Sequence, residues 1–258
     1  MEYNKILDSL KLYGTTKEDI IKRRGYDGVL ENVVVAPWWE YTMFENYSDS
    51  IKQVSDKVYN IYGDGFSFTF IAIRNMGASA LIEEVLALGV SNCKRILFIG
   101  SAGSIDETIN IGDLIIPKCS YNGVGATRYL NEELKDDFEE IYYSSETFNQ
   151  ALISVMDDKG YNNKLVVNYS VDTIIAQFPH IKHISDLNVN TIEMETSALF
   201  KCASMMGLEA SALFVISDNT IKNKSLYSGR QEEDSKRKKI ARKEMVPQIV
   251  VELFKKYN

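Results

Sequence analysis

The chain switches between two hydrophobic rhythms. "VVVA" at 33–36 is an unbroken apolar run of strand length. "VSDKVYNIYGDGFSFTFIAIRN" at 54–75 alternates apolar and polar positions on either side of "GDG", which predicts a β-hairpin. "GASALIEEVLALG" at 77–89 spaces its Leu, Ile and Val residues at helical intervals and is closed by Gly89. "RILFIGSAGSI" at 95–105 is a continuous apolar run ending in small residues, as expected of a strand covered on both faces. "DLIIP" at 113–117 predicts a short strand, 145–159 a helix and 164–169 another strand. "METSALFKCASMMG" at 194–207 predicts a helix closed by Gly207, and "EASALFVISDN" at 209–219 a buried strand with a polar end. Residues 231–256 read as one long helix kinked at Pro247, with "SKRKKIARK" as its solvated face. Near the start, 4–24 is helical but polar, broken at "GTT" with Thr16 as an N-cap.

Helices alternating with apolar strands predict a three-layer α/β/α fold around a central mixed, partly parallel sheet. No repeat, low-complexity segment or Pro/Gly-rich linker interrupts the pattern. Residues 1–258 therefore read as a single domain, with 1–28 as a helical N-terminal extension.

Composition narrows the function. The chain has 258 residues, 45% hydrophobic and 25% charged, enough for one full core. A net charge of -7 argues against nucleic-acid binding through a basic surface, but a small anion needs only local positive charge. Three cysteines, Cys93, Cys119 and Cys202, are odd in number and widely spaced, which predicts reduced thiols rather than disulfides or a zinc knuckle. His180 and His183 are the only histidines, so neither His-based catalysis nor a metal site is expected. The N-terminus is too charged for a signal peptide, and no apolar run approaches the roughly 20 residues that span a bilayer. A cytoplasmic location without membrane contact is the expectation.

Ligands of α/β sheets gather at the carboxyl ends of strands, and three such ends carry candidate chemistry. "GSAGS" at 100–104 is either a plain turn or a place where Ser101, Ala102 and Gly103 let a ligand approach the backbone. In "TIEMETSALF" at 191–200, Glu193 and Glu195 flank Met194. An acid there either favours the helix dipole or accepts two hydrogen bonds from a vicinal diol. "FVISDN" at 214–219 ends in Ser217 and Asp218, which form either an Asx turn or an acid of raised pKa.

"IGSAGSIDETINIGDLIIP", "EMETSALF" and "ISDN", in this order and spacing, resemble the nucleoside phosphorylase superfamily, which includes nucleoside hydrolases. "GASALIEEVLALGV" resembles the helix before its glycine strand, and the likeness runs from about residue 30 to 218. The resemblance implies that Glu195 holds the ribose hydroxyls, with Met194 and Met76 against the sugar. It implies that Asp218, preceded by Ser217, protonates or hydrogen-bonds the leaving base. It places Gly100 to Gly103 beside base and nucleophile. It further implies no metal or organic cofactor, a small nucleoside as partner, and a homo-oligomer such as a dimer or hexamer.

The sequence also departs from the pattern. Phosphorolytic members carry a glycine turn and an arginine after the first strand, where this chain has "APWWEYTMF". They place an arginine two residues before the glycine of "GSAG", where this chain has Phe98. Arg74 and Arg128 are possible substitutes. By register, Glu40 falls on the water-activating acid of the hydrolytic branch, which resembles methylthioadenosine/adenosylhomocysteine nucleosidase. Trp38 and Trp39 either exclude solvent, stack on a ligand or pack on the sheet. An aromatic pair of the base pocket is replaced by Ile174 and Ile175, with Phe178 nearby. The expectation is hydrolysis of a purine-type nucleoside to base and ribose. The alternatives are phosphorolysis, with inorganic phosphate as co-substrate, and a non-catalytic nucleoside-binding or storage protein.

Overall fold

The computed structural model describes residues 1–257. Two helices come first, α1 (Tyr3–Leu12) and α2 (Lys17–Arg24). Thr16 caps α2 as its sequence predicts: Asp19 N–H donates to the Thr16 hydroxyl at 3.2 Å, and Thr16 N–H donates to the Asp19 carboxylate at 2.9 Å. Strand β1 (Asn32–Ala36) is followed by the meander β2 (Ser50–Ser55), β3 (Val58–Gly63) and β4 (Phe66–Ala72). The expected hairpin is β3–β4, turning through Asp64 and Gly65, whose φ is 72°. Then come α3 (Ala78–Leu88), β5 (Arg95–Ser104), β6 (Leu114–Gly123), β7 (Ile141–Tyr143), α4 (Glu146–Asp158) and β8 (Asn163–Val171). The chain continues through α5 (Ile181–Asp186), β9 (Thr191–Glu193), α6 (Thr196–Met206) and β10 (Glu209–Asn219). It closes with α7 (Glu232–Ile240) and α8 (Val246–Lys255).

All ten strands form one sheet. β1 lies between β4 and β5 and runs parallel to both. β10 runs parallel to β5 and antiparallel to β6. β6 pairs with β8, β8 with β9, and β9 with β5. These five strands therefore close on themselves, and β1, β4, β3 and β2 extend from them as an open wing.

Side chains alternate across the sheet with period two. Val33, Val35, Phe98 and Phe214 pack on one face with Leu81, Val85 and Leu88 of α3 and Leu199 and Ala203 of α6. Val34, Leu97, Ile99 and Val215 pack on the other with Leu152 and Val155 of α4 and Ile249, Leu253 and Phe254 of α8. Both faces are covered, which explains the unbroken apolar runs. The expected three-layer α/β/α arrangement with a mixed sheet is the one observed.

Four elements differ from expectation. β6 runs on to Gly123 although Lys118, Ser120 and Asn122 break its apolar pattern, because it stays paired with β8 throughout. β7 and β9, three residues each, are too short to show a period. The single terminal helix is two helices joined by a π-helical turn, Ala241–Met245. Pro247 has no N–H to donate back into the preceding turn, and the wider turn accommodates that loss.

Candidate active site

A cavity of about 300 Å³ opens at the carboxyl ends of β1, β5 and β10. Alternation along β5 turns Ser101 and Gly103 toward it, whereas Ala102 faces the opposite core. β10 carries a bulge there. Its pairing steps from Ile216↔Ala102 to Asp218↔Gly103, so Ser217 is an extra residue. The bulge sets Asp218 on the cavity face beside Gly103. A Cβ at Gly103 would lie 3.0 Å from Oδ2 of Asp218, so a side chain there would displace the acid.

The Ser217 hydroxyl donates to Oδ1 of Asp218 at 2.5 Å. Burial raises the Asp218 carboxyl above the usual range; that hydrogen bond and the charges of Lys238 and Arg230 pull it the other way. The net shift is upward, toward the form that can donate to a ligand.

Glu195 stands at the start of α6. Its Oε1 accepts from Gly77 N–H at 2.6 Å and its Oε2 from Met194 N–H at 3.2 Å. Gly77 has φ 95°, a backbone state glycine reaches without steric cost. Burial and then the charge of Glu193 raise the Glu195 carboxyl to about 8. Glu193 is a helix-capping residue as well as a cavity wall. Its Oε2 accepts from the N–H groups of Glu195 and Thr196 at 2.7 and 2.8 Å. Its Oε1 accepts from Asn168, Ser170 and the Thr196 hydroxyl at 2.7, 2.6 and 2.8 Å. Burial raises this carboxyl too, with the donors pulling against it.

Of the residues singled out by sequence, Met76, Ser101, Gly103, Glu193, Met194, Glu195, Ser217 and Asp218 line this one cavity. Three do not. Ala102 is turned away by strand alternation. Phe178 begins a 3₁₀ turn that faces outward. Glu40 is exposed and borders a neighbouring cleft with Thr42 and Met43. Trp39 is buried in the core beside Phe44 and Phe70, and the residue after it points outward; register from β1 does not bring Glu40 to the cavity. Arg74 hydrogen-bonds the Asp56 carbonyl at 3.2 Å and Arg128 the Gly125 carbonyl at 2.9 Å, both away from the cavity. His183 pairs with Glu139 at 2.5 Å, also elsewhere.

Other cavity residues escape a sequence reading. Lys238 and Arg242, from the run expected to be solvated, line the cavity together with Trp38. Arg242 Nη2 donates to the Trp38 carbonyl at 3.2 Å, and the guanidinium lies 4.9 Å from the centre of the Trp39 ring. Gln177 also lines the cavity, and its buried Oε1 has no hydrogen-bond partner among the described residues. Nothing local distinguishes these side chains. Only the helix that crosses the strand ends and the loop after β8 bring them here. Among the described residues no cluster of three or more His, Cys, Asp or Glu side chains could hold a metal, and no helix is long and apolar enough to cross a membrane.

Comparison with known proteins identifies the family and the fold. A uridine phosphorylase of Thermococcus kodakarensis is 26% identical over 184 residues, 66% of this chain and 64% of its own length. A DeoD-type purine nucleoside phosphorylase of Clostridium perfringens is 26% identical over 166 residues, 64% of this chain and 65% of its own length. In both, the match spans less than two thirds of the relative. The solved uridine phosphorylase of Vibrio fischeri shares the fold with a TM-score of 0.75, at 18% identity over 89% of this chain and 94% of its own. A family model described as the phosphorylase superfamily matches residues 69–253. That span takes in β5, β10 and the start of α6, the elements that carry Ser101, Asp218 and Glu195, and the chain belongs to the phosphorylase superfamily.

Proposed function

We propose that the protein cleaves the N-glycosidic bond of a purine-type nucleoside, with inorganic phosphate as the attacking group. The observation that carries this reading is the meeting of Asp218 and Glu195 in one cavity that Glu40 does not reach. Breaking the bond between C1′ and the base leaves an oxocarbenium-like sugar and an electron-rich base. A phosphate oxygen bonds to C1′ and the bonding pair to nitrogen passes into the base. The Asp218 carboxyl gives its proton to N7 of the purine. Products are free base and ribose 1-phosphate. Asp218 regains a proton from solvent.

Glu195 supports the sugar by accepting from its 2′- and 3′-hydroxyls, which fixes C1′ between base and nucleophile. Asp218 favours a purine, because N7 is a ring acceptor with no counterpart in a pyrimidine. The names of the curated relatives support phosphorolysis. Self-association into a dimer or hexamer belongs to the same reading, and sedimentation velocity tests it.

The deciding experiment is base release from a nucleoside panel with and without phosphate, with identification of the sugar product. Ribose 1-phosphate formed only with phosphate is expected. Free ribose at an unchanged rate without phosphate would establish hydrolysis instead, and ligand binding without turnover a binding protein. Asp218→Asn should lower kcat by about 10²–10⁴-fold with a smaller effect on KM.

A further inference from the structure

The superfamily motifs expected to hold an anion are absent at both of their sequence positions, and Phe98 is buried in the core. Two other cations reach the cavity. Lys238 comes from the last turns of α7 and Arg242 from the π-helical turn that follows. Four residues apart, they project on one side of the helix, and both form the wall between the cavity and the neighbouring cleft.

Both cations are available. Among the described residues neither forms an ion pair with a carboxylate, and Lys238 makes no hydrogen bond. Arg242 uses one nitrogen on the Trp38 carbonyl and stacks on Trp39, which orients the guanidinium and leaves its other donors free. Burial lowers the pKa of each, and the positive charge of Arg230 lowers that of Lys238 further. The charge of Asp218 acts on Lys238 from a distance and opposes this lowering, but among the described residues no carboxylate contacts either cation. A half-buried cation without a contacting partner is costly to keep unless a ligand supplies one. Burial raises the pKa of Asp218, Glu193 and Glu195, which lessens the opposition of these carboxyls to an anion in the cavity. π-turns recur at functional sites, and this one sets the position of Arg242.

We propose that Lys238 and Arg242 form a subsite for a phosphoryl dianion at the wall of the cavity, with Trp38 and Trp39 orienting the arginine. The proposal deepens the reading of the cavity as a nucleoside site and rests on it. The dianion is either free phosphate or a phosphoryl group on the sugar.

Calorimetric titration of the full chain separates the two. The ligands are inorganic phosphate, a purine nucleoside and its 5′-monophosphate. The proteins are wild type, Lys238→Met, Arg242→Gln and, as a charge control, Lys243→Met. Phosphoryl affinity should fall about tenfold or more in the first two variants, and stay within about twofold in the control, since charged bidentate contacts outweigh exposed charge. Lys238→Met and Arg242→Gln should weaken the nucleoside itself less than the phosphoryl ligands, since it carries no dianion. A loss for inorganic phosphate assigns the subsite to the attacking group, and a loss confined to the monophosphate assigns it to the sugar substituent. Equal phosphoryl affinity in wild type and variants, or no phosphoryl binding by folded wild type, overturns the proposal. If Arg242→Gln fails to fold, Lys238→Met alone decides. Phosphoryl binding that is lost in the variants, without base release from any nucleoside, overturns the proposed reaction and leaves the subsite standing.

Discussion

At the scale of single residues, position relative to the sheet separates chemistry from packing. Glu40 and Glu195 both follow a strand end, yet only Glu195 meets the cavity. Glu40→Gln should therefore keep kcat/KM within about threefold, as expected of an exposed side chain away from special features; a hundredfold loss would return Glu40 to the chemistry. Glu195 has the opposite character. Its folded pKa, about 8, stands above that of an unfolded glutamate, so its contribution to stability is fully present below the unfolded value and is lost as pH rises toward 8. Glu195→Gln removes that titration. The variant should melt at or above the wild-type temperature at pH 8, with the gap closing near pH 5, and under the proposed function it should bind nucleoside more weakly. A melting curve at each pH and nucleoside titration at one pH test both halves.

At the scale of elements, α6 is the part on which the site depends. Its N-terminal amides are held by Glu193, and its middle is tied down by a buried ion pair. Lys201 Nζ lies 2.5 Å from Oδ2 of Asp137 and also donates to Asn131 at 2.6 Å. Asp137 further accepts from Tyr142 at 2.6 Å and Thr127 at 2.9 Å. Burial pushes Asp137 up, but these donors win and its pKa is lowered. Its stabilisation is therefore present above the unfolded aspartate value and fades as pH falls through the folded one. Lys201→Met strands the carboxylate and should cost about 3–5 kcal/mol in denaturant unfolding. This pair was not legible in the sequence, because Asp137 lies 64 residues from Lys201 in a polar stretch that shows no period. What could be read was whatever repeats: the alternation of β3 and β4, the heavy apolar runs of β5 and β10, the faces of α3 and α6. The motifs around Ser101, Glu195 and Asp218 were readable because each sits within a few residues of a strand end. Lys238 and Arg242 were misread because a local charge run carries no sign of the strand ends that its helix crosses.

At the scale of the whole molecule, the cavity couples folding to ligand. A nucleoside at 100 times its Kd should stabilise the protein by about 2.7 kcal/mol, raising the melting temperature in proportion, and Asp218→Asn should retain much of that shift if its loss is chemical. The ring formed by β5, β9, β8, β6 and β10 has a further consequence. A strand already bonded on both sides offers no template to another chain. The free margins of the sheet are β2, which carries Lys52 and Gln53 on an exposed surface, and the three-residue β7. Charge and brevity make both poor places for a foreign strand to add. Copies of this protein that meet must then do so through side chains rather than by extending the sheet, and crowding should yield discrete assemblies in preference to fibrils.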